Sequence, residues 1–174
     1  MELRGYLVRA DGEIVDVRVL DLSFDGCGIH LFTQLAPGEE VKLSVLSRGA
    51  VKAIVRWCTA RKAGLRFVPD SAARKPSPRR AERRVLAGQA VLRRAGGPAF
   101  ATQAFDLSSD GCCCEFVERP QIDERVWIKF DGLESVEANV SWVEGSSAGF
   151  RFSKPIHPAV LDMLLHRLGG VPAP

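Results

Sequence analysis

Displaced by 85 residues, this chain matches itself, so whatever it folds into has to be built twice. Asp21-Leu22-Ser23-Phe24-Asp25-Gly26-Cys27 falls on Asp106-Leu107-Ser108-Ser109-Asp110-Gly111-Cys112. Without a gap, Val41 falls on Val126, Val51 on Val136, Trp57 on Trp142, and Gly64, Arg66 and Phe67 on Gly149, Arg151 and Phe152. Two homologous domains follow, with a linker between them. Pro69, Pro76 and Pro78 cannot feed a sheet ladder and hold the chain partly extended. The expected division is therefore a domain over 1–68, a basic linker over 69–84 and a second domain over 85–174.

The periodicity in each copy is that of strands. Leu3–Arg9 and Glu13–Leu20 flank Ala10-Asp11-Gly12, a hairpin signal. Cys27–Phe32, Val41–Leu46, Val51–Cys58 and Ala63–Val68 complete a set of six. The second copy offers Ala90–Arg93, Ala99–Phe105, Cys112–Val117, Val126–Phe130, Val136–Val143 and Ala148–Phe152. Short strands at this spacing predict an all-β protein of two small antiparallel barrels or sandwiches, and closure would remove exposed edges. Only the second copy has a tail that reads as helix, with Pro158 at its start, one apolar face (Val160, Leu161, Leu164, Leu165, Leu168) and Gly169-Gly170 as its stop. That face is expected to pack on the barrel, with a homodimer contact as the alternative.

Composition narrows the function. No apolar run is long enough to span a bilayer, so no membrane insertion is expected. The first residues show no leader-like pattern. Cys27, Cys58, Cys112, Cys113 and Cys114 are odd in number and partly adjacent, and they read as small apolar residues in a reducing cytoplasm. His30, His157 and His166 are scattered, and no nucleophile–base set or metal spacing appears, which argues against an enzyme or a metal site. Charge is uneven: residues 71–84 hold six basic residues and one acid, while the rest of the chain is close to neutral. That pattern suggests a local anion site or a solvated basic linker. Nucleic acid is not expected, because the basic segment lacks interleaved aromatics.

The two ends of one stretch carry the chemistry. Arg79, Arg80, Arg83 and Arg84 lie just before the second domain, and Asp106-Leu107-Ser108-Ser109-Asp110-Gly111 closes its first hairpin. Guanidinium forks and an acceptor-rich turn on a β scaffold suit a small ligand that carries both phosphates and guanine edges. The plainer alternative is that Asp106 and Ser108 only bond their own backbone.

Arg80-x-x-x-Arg84-Val85 followed about 22 residues later by Asp106-x-Ser108-x-x-Gly111 resembles the PilZ domain, a bacterial receptor for cyclic di-GMP. The likeness extends over nearly the whole chain. It implies a six-stranded barrel in each half and cyclic di-GMP as ligand, with no further cofactor. It also implies a ligand site of Arg79, Arg80, Arg83, Arg84, Asp106, Ser108 and Gly111, with Ser109, Trp142 and Arg151 at its periphery. Arg79 and Arg83 share the spacing of Arg80 and Arg84. The apolar Val85 favours the second register. Gly111 would allow a positive φ or a close backbone approach. The first copy keeps Asp21, Ser23 and Gly26 without an arginine segment, so it is expected to be a scaffold or interaction domain. Ligand held by both linker and barrel would fix the angle between the domains and signal to a downstream protein of motility, secretion or exopolysaccharide control. The alternative is an adaptor that binds no nucleotide.

Overall fold

The computed structural model describes residues 3–45, 50–69 and 84–169. Pro76, Pro78, Arg79, Arg80, Arg83 and Gly170 lie outside them. The chain divides into two compact units, residues 1–76 and 77–174.

The first unit holds β1 (Leu3–Arg9), β2 (Ile14–Leu22), β3 (Gly26–His30), β4 (Glu40–Val45), β5 (Ala50–Cys58) and β6 (Lys62–Phe67). They close into an antiparallel barrel in the order β1-β2-β3-β6-β5-β4. Strand alternation supplies the core: Leu3, Leu7, Val15, Val17, Val19, Leu43, Val55 and Phe67 are buried, and the residues between them face outward. Gly12, at a φ of +88°, makes the turn between β1 and β2.

The second unit repeats this plan with β7 (Arg84–Arg94), β8 (Ala99–Leu107), β9 (Gly111–Glu115), β10 (Arg125–Phe130), β11 (Val136–Glu144) and β12 (Ser147–Phe152). Its order is β10-β11-β12-β9-β8-β7. β7 is longer than the apolar run Ala90–Arg93 suggests and begins at Arg84, a residue that reads as linker in the sequence. Its first half alternates Leu86 and Gly88 inward with Val85 and Ala87 outward, and small residues there dilute the apolar signal. A register shift between Val85 and Gly88 lets it stay paired with β8 to the end.

Helix α1 (Pro158–Arg167) follows β12. His157 caps it, its Nδ1 accepting the Ala159 N–H at 3.2 Å, and Pro158 opens the first turn. Val160, Leu161, Met163, Leu164 and Leu165 are buried, so the apolar face is used within this chain. No described helix is long and apolar enough to cross a membrane.

The repeat also carries an ion pair. Arg9 donates from Nε to Glu39 and from Nη1 to Glu13, each at 2.6 Å. At the same places in the second copy, Arg94 donates to Glu124 from Nε and, at 3.0 Å, from Nη2. Each glutamate also accepts a loop N–H, from Ala36 or Gln121. The guanidinium holds both carboxyls below their ordinary value of 4.5. Such carboxyls bind fewer protons folded than unfolded, so their contribution is complete above that value and is lost as pH falls below it. Thermal unfolding followed from about pH 6 to about pH 3 should therefore fall more steeply in the parent than in a Glu39→Gln/Glu124→Gln variant. Parallel curves would show that these pairs do not couple to folding.

Candidate functional site

In the second barrel, register assembles a row across five strands. Val85 stands opposite Asp106, Asp106 opposite Cys113, Cys113 opposite Gly149, and Gly149 opposite Trp142. Two irregularities aim it: the register shifts between Ala104 and Asp106, and again between Val140 and Trp142. Bulges of this kind turn a side chain out of the plain alternation. The Trp142 indole lies flat on Gly149, where a Cβ would sit 2.0 Å from Nε1. Val85 is 85% exposed beside Asp106, an apolar residue left on the surface.

The turn from β8 to β9 is built by Ser108 and Gly111. The Ser108 N–H and hydroxyl both donate to the Gly111 carbonyl, at 2.8 and 3.1 Å. Ser108 is buried. The Ser109 carbonyl accepts the Ile156 N–H at 2.8 Å, which ties the segment before α1 to the turn. Gly111 does not have a positive φ. Its requirement is space: a Cβ there would stand 2.1 Å from the Phe150 carbonyl oxygen.

Beside this turn lies an open groove of about 290 Å³. It brings together Ser108, Gly111, Trp142 and Arg151, with Asp110 and Ser141 among its other walls. Arg151 is exposed and pairs in register with Gly111, so these two lining residues stand side by side on neighbouring strands.

Arg84, Asp106 and Ser109 do not line the groove. Arg84 pairs with Leu107, the fully buried neighbour of Asp106, and so leaves the sheet on the opposite face from Val85 and Asp106. Its guanidinium meets Asp162 of α1, Nη1 to Oδ1 at 3.2 Å, with both side chains mostly covered. Arg79, Arg80 and Arg83 lie outside the described residues.

The three adjacent cysteines are packing residues here. Burial pushes the Cys112 thiol well above its ordinary range, and Cys114, at 3.7 Å between sulfurs, adds to the shift. A thiol held protonated in this way is a poor nucleophile.

The first barrel repeats the scaffold of the site. The Ser23 N–H donates to the Gly26 carbonyl at 3.0 Å, Trp57 lies on Gly64, and Asp21 stands opposite Gly28. The residue opposite the aspartate is glycine here. Gly28 leaves room for the Asp21 carboxylate to fold down and accept the Gly28 N–H at 3.0 Å, and a Cβ there would meet Oδ1 at 2.5 Å. The second copy has Cys113 at that position, with a Cβ.

Sequence reasoning missed Asp162, Asp110, Ser141 and Gly149. The paired Trp57/Gly64 and Trp142/Gly149 spacing is a signal that could have found Gly149. Nothing local marks Asp162, which lies 78 positions from its partner.

A family profile described as the PilZ domain matches residues 3–75 and 78–168. No curated protein sequence matches. Solved structures similar to this chain include YcgR of Escherichia coli in complex with c-di-GMP, at 16% identity and a TM-score of 0.40, covering 96% of this chain and 82% of that one. PlzA of Borreliella burgdorferi in complex with c-di-GMP is similar at 12% identity and a TM-score of 0.41, covering 94% and 86%. The inhibitor of motility MotI/DgrA of Bacillus subtilis is similar at 12% and 0.41, covering 95% and 93%.

Proposed function

Because this chain belongs to the PilZ domain family in both its halves, we propose that it is a cytoplasmic receptor for cyclic di-GMP whose ligand site belongs to the second barrel. The observation that supports this reading is the groove of the second barrel, where Ser108 and Gly111 of the acceptor-rich turn meet Trp142 and Arg151, in the barrel whose first strand Arg84 opens. Cyclic di-GMP has two phosphodiesters and two guanines. Guanidinium groups from Arg79, Arg80, Arg83 and Arg84 would pair two-pronged with phosphate or with guanine O6/N7 and stack on the bases. Asp106 would accept guanine N–H donors, and Trp142 and Arg151 would wall the ligand. Ser108 and Gly111 would act mainly by holding the turn in shape.

Arg79, Arg80 and Arg83 precede β7 and Arg84 opens it, so ligand held by them and by the barrel would tie the segment between the units to the second barrel. A ligand that binds one arrangement more tightly shifts the population toward it, and a downstream protein would read that shift. Titrating the purified chain with cyclic di-GMP by calorimetry, with hydrodynamic radius measured alongside, is expected to give saturable binding and a change of radius at the same stoichiometry. Saturable binding at constant radius removes the switch and leaves the receptor. Absence of heat favours the second reading, an adaptor, for which one observation speaks: the same turn and indole–glycine contact recur in the first barrel, so they belong to the scaffold and do not by themselves mark a ligand site.

A further inference from the structure

The outer face of the first barrel carries a basic feature of its own. Register places Arg4 opposite Arg18, Arg18 opposite His30, and His30 opposite Lys62. These are four consecutive strands of the barrel, β1, β2, β3 and β6. The flanking residues Leu3, Val17, Val19, Ile29 and Ala63 are buried, so all four basic side chains rise on the outside. Arg4 and Lys62 are exposed, Arg18 and His30 half-buried. Neighbouring strands are about 4.8 Å apart, so the row is about 14 Å long.

The fold does not require this row of basic residues. In the second barrel the corresponding places hold Gln103, Glu115 and Ser147, with Gln89 opposite Gln103 and Ser147 opposite Glu115. The basic row is a property of the first copy alone.

At the β3–β6 end of the row stands Phe32, 77% exposed. The His30 ring meets it edge-on at 5.0 Å, and the Arg61 guanidinium lies 5.7 Å over its face. The row is also narrow. On one side lies Asp16, opposite Tyr6, and on the other lies Asp21, opposite Gly28.

We infer that this row is a docking strip for an extended acidic segment of a partner protein, with an apolar residue seated on Phe32. Its length matches four or five residues of extended chain at about 3.3 Å each. Carboxylates would complement the cations, which steers encounter and fixes register. Asp16 and Asp21 favour a thin peptide over nucleic acid, because a duplex or a wandering phosphate backbone would overlap their negative charge. The inference does not require that the second barrel bind cyclic di-GMP.

The test uses the full chain and a short labelled peptide of consecutive glutamates ending in phenylalanine, followed by fluorescence anisotropy. Binding is expected, and it should weaken as salt rises. The double variant Arg4→Glu/Lys62→Glu, at two exposed positions, should bind roughly tenfold more weakly. Lys129→Glu on the second barrel should bind as the parent does. Circular dichroism melting verifies that the variants are folded. The inference fails if the glutamate peptide does not bind, or if its glutamine counterpart binds as well. Unchanged affinity in the folded double variant, or tighter binding of a single-stranded oligonucleotide than of the peptide, overturns it too.

Discussion

Replacing Arg84 by alanine is expected to weaken cyclic di-GMP binding by at least about 2 kcal/mol, roughly thirtyfold in Kd, as for loss of a charged two-pronged contact. The reason is specific to the geometry. The Arg84 guanidinium is held by Asp162 of α1, on the side of the sheet away from Asp106, so phosphate would have to draw it from that carboxylate. Asp162→Asn keeps the shape and removes the competing charge, so it should tighten binding a few-fold while Arg84→Ala loosens it. Calorimetry on both variants separates three outcomes. Opposite shifts support competition between α1 and ligand. Loss in both means that Asp162 positions the arginine. Unchanged affinity in Arg84→Ala removes this residue from the ligand site. Little stability is at stake in either case, because a partly exposed ion pair contributes about 0–1 kcal/mol.

The second large effect concerns folding. Gly111→Ala places a methyl 2.1 Å from the Phe150 carbonyl oxygen, where β9 passes β12. The obstacle is the backbone of a neighbouring strand in a closed barrel, so relief requires the ladder to move. The expected cost is about 2–4 kcal/mol, in the range of overpacked interiors. For a domain of this size that lowers the melting temperature by on the order of 10–20 °C. Gly97→Ala is the control, since its nearest neighbour would be 3.6 Å away and its φ is ordinary. If Gly111→Ala melts with the parent, the crossing is looser than the distances require. Reduced ligand binding in a Gly111 variant then reports a damaged turn, not a lost contact. The same holds for Gly26 in the first barrel, where a Cβ would meet the Leu65 carbonyl oxygen at 2.0 Å.

These two residues mark how far the sequence could be read. Both belong to motifs visible in the chain. Gly111 is legible because it recurs at Gly26 at the fixed offset of the repeat. Even so, sequence leaves open whether a glycine is needed for its dihedral angles or for space, since the obstructing carbonyl comes from another strand. Arg84 is legible as a charge but not as a direction. Which face it leaves depends on where β7 begins, and β7 begins earlier than its apolar pattern suggests because small residues and a register shift mask the alternation.

Sequence by itself determined the duplication, the strand periodicity, the helix with its proline start, and the arginine segment with its polar turn. All of these are written in neighbouring residues or in a fixed offset. Tertiary structure alone decided what faces what. It set Asp162 against Arg84 from 78 positions away, laid Trp142 on Gly149, and lined up Arg4, Arg18, His30 and Lys62 across four strands. The physical reason is that side-chain neighbours in a closed barrel follow strand register. Register is fixed by closure and bulges that involve the whole sheet, while the chain records only the period of two along each strand.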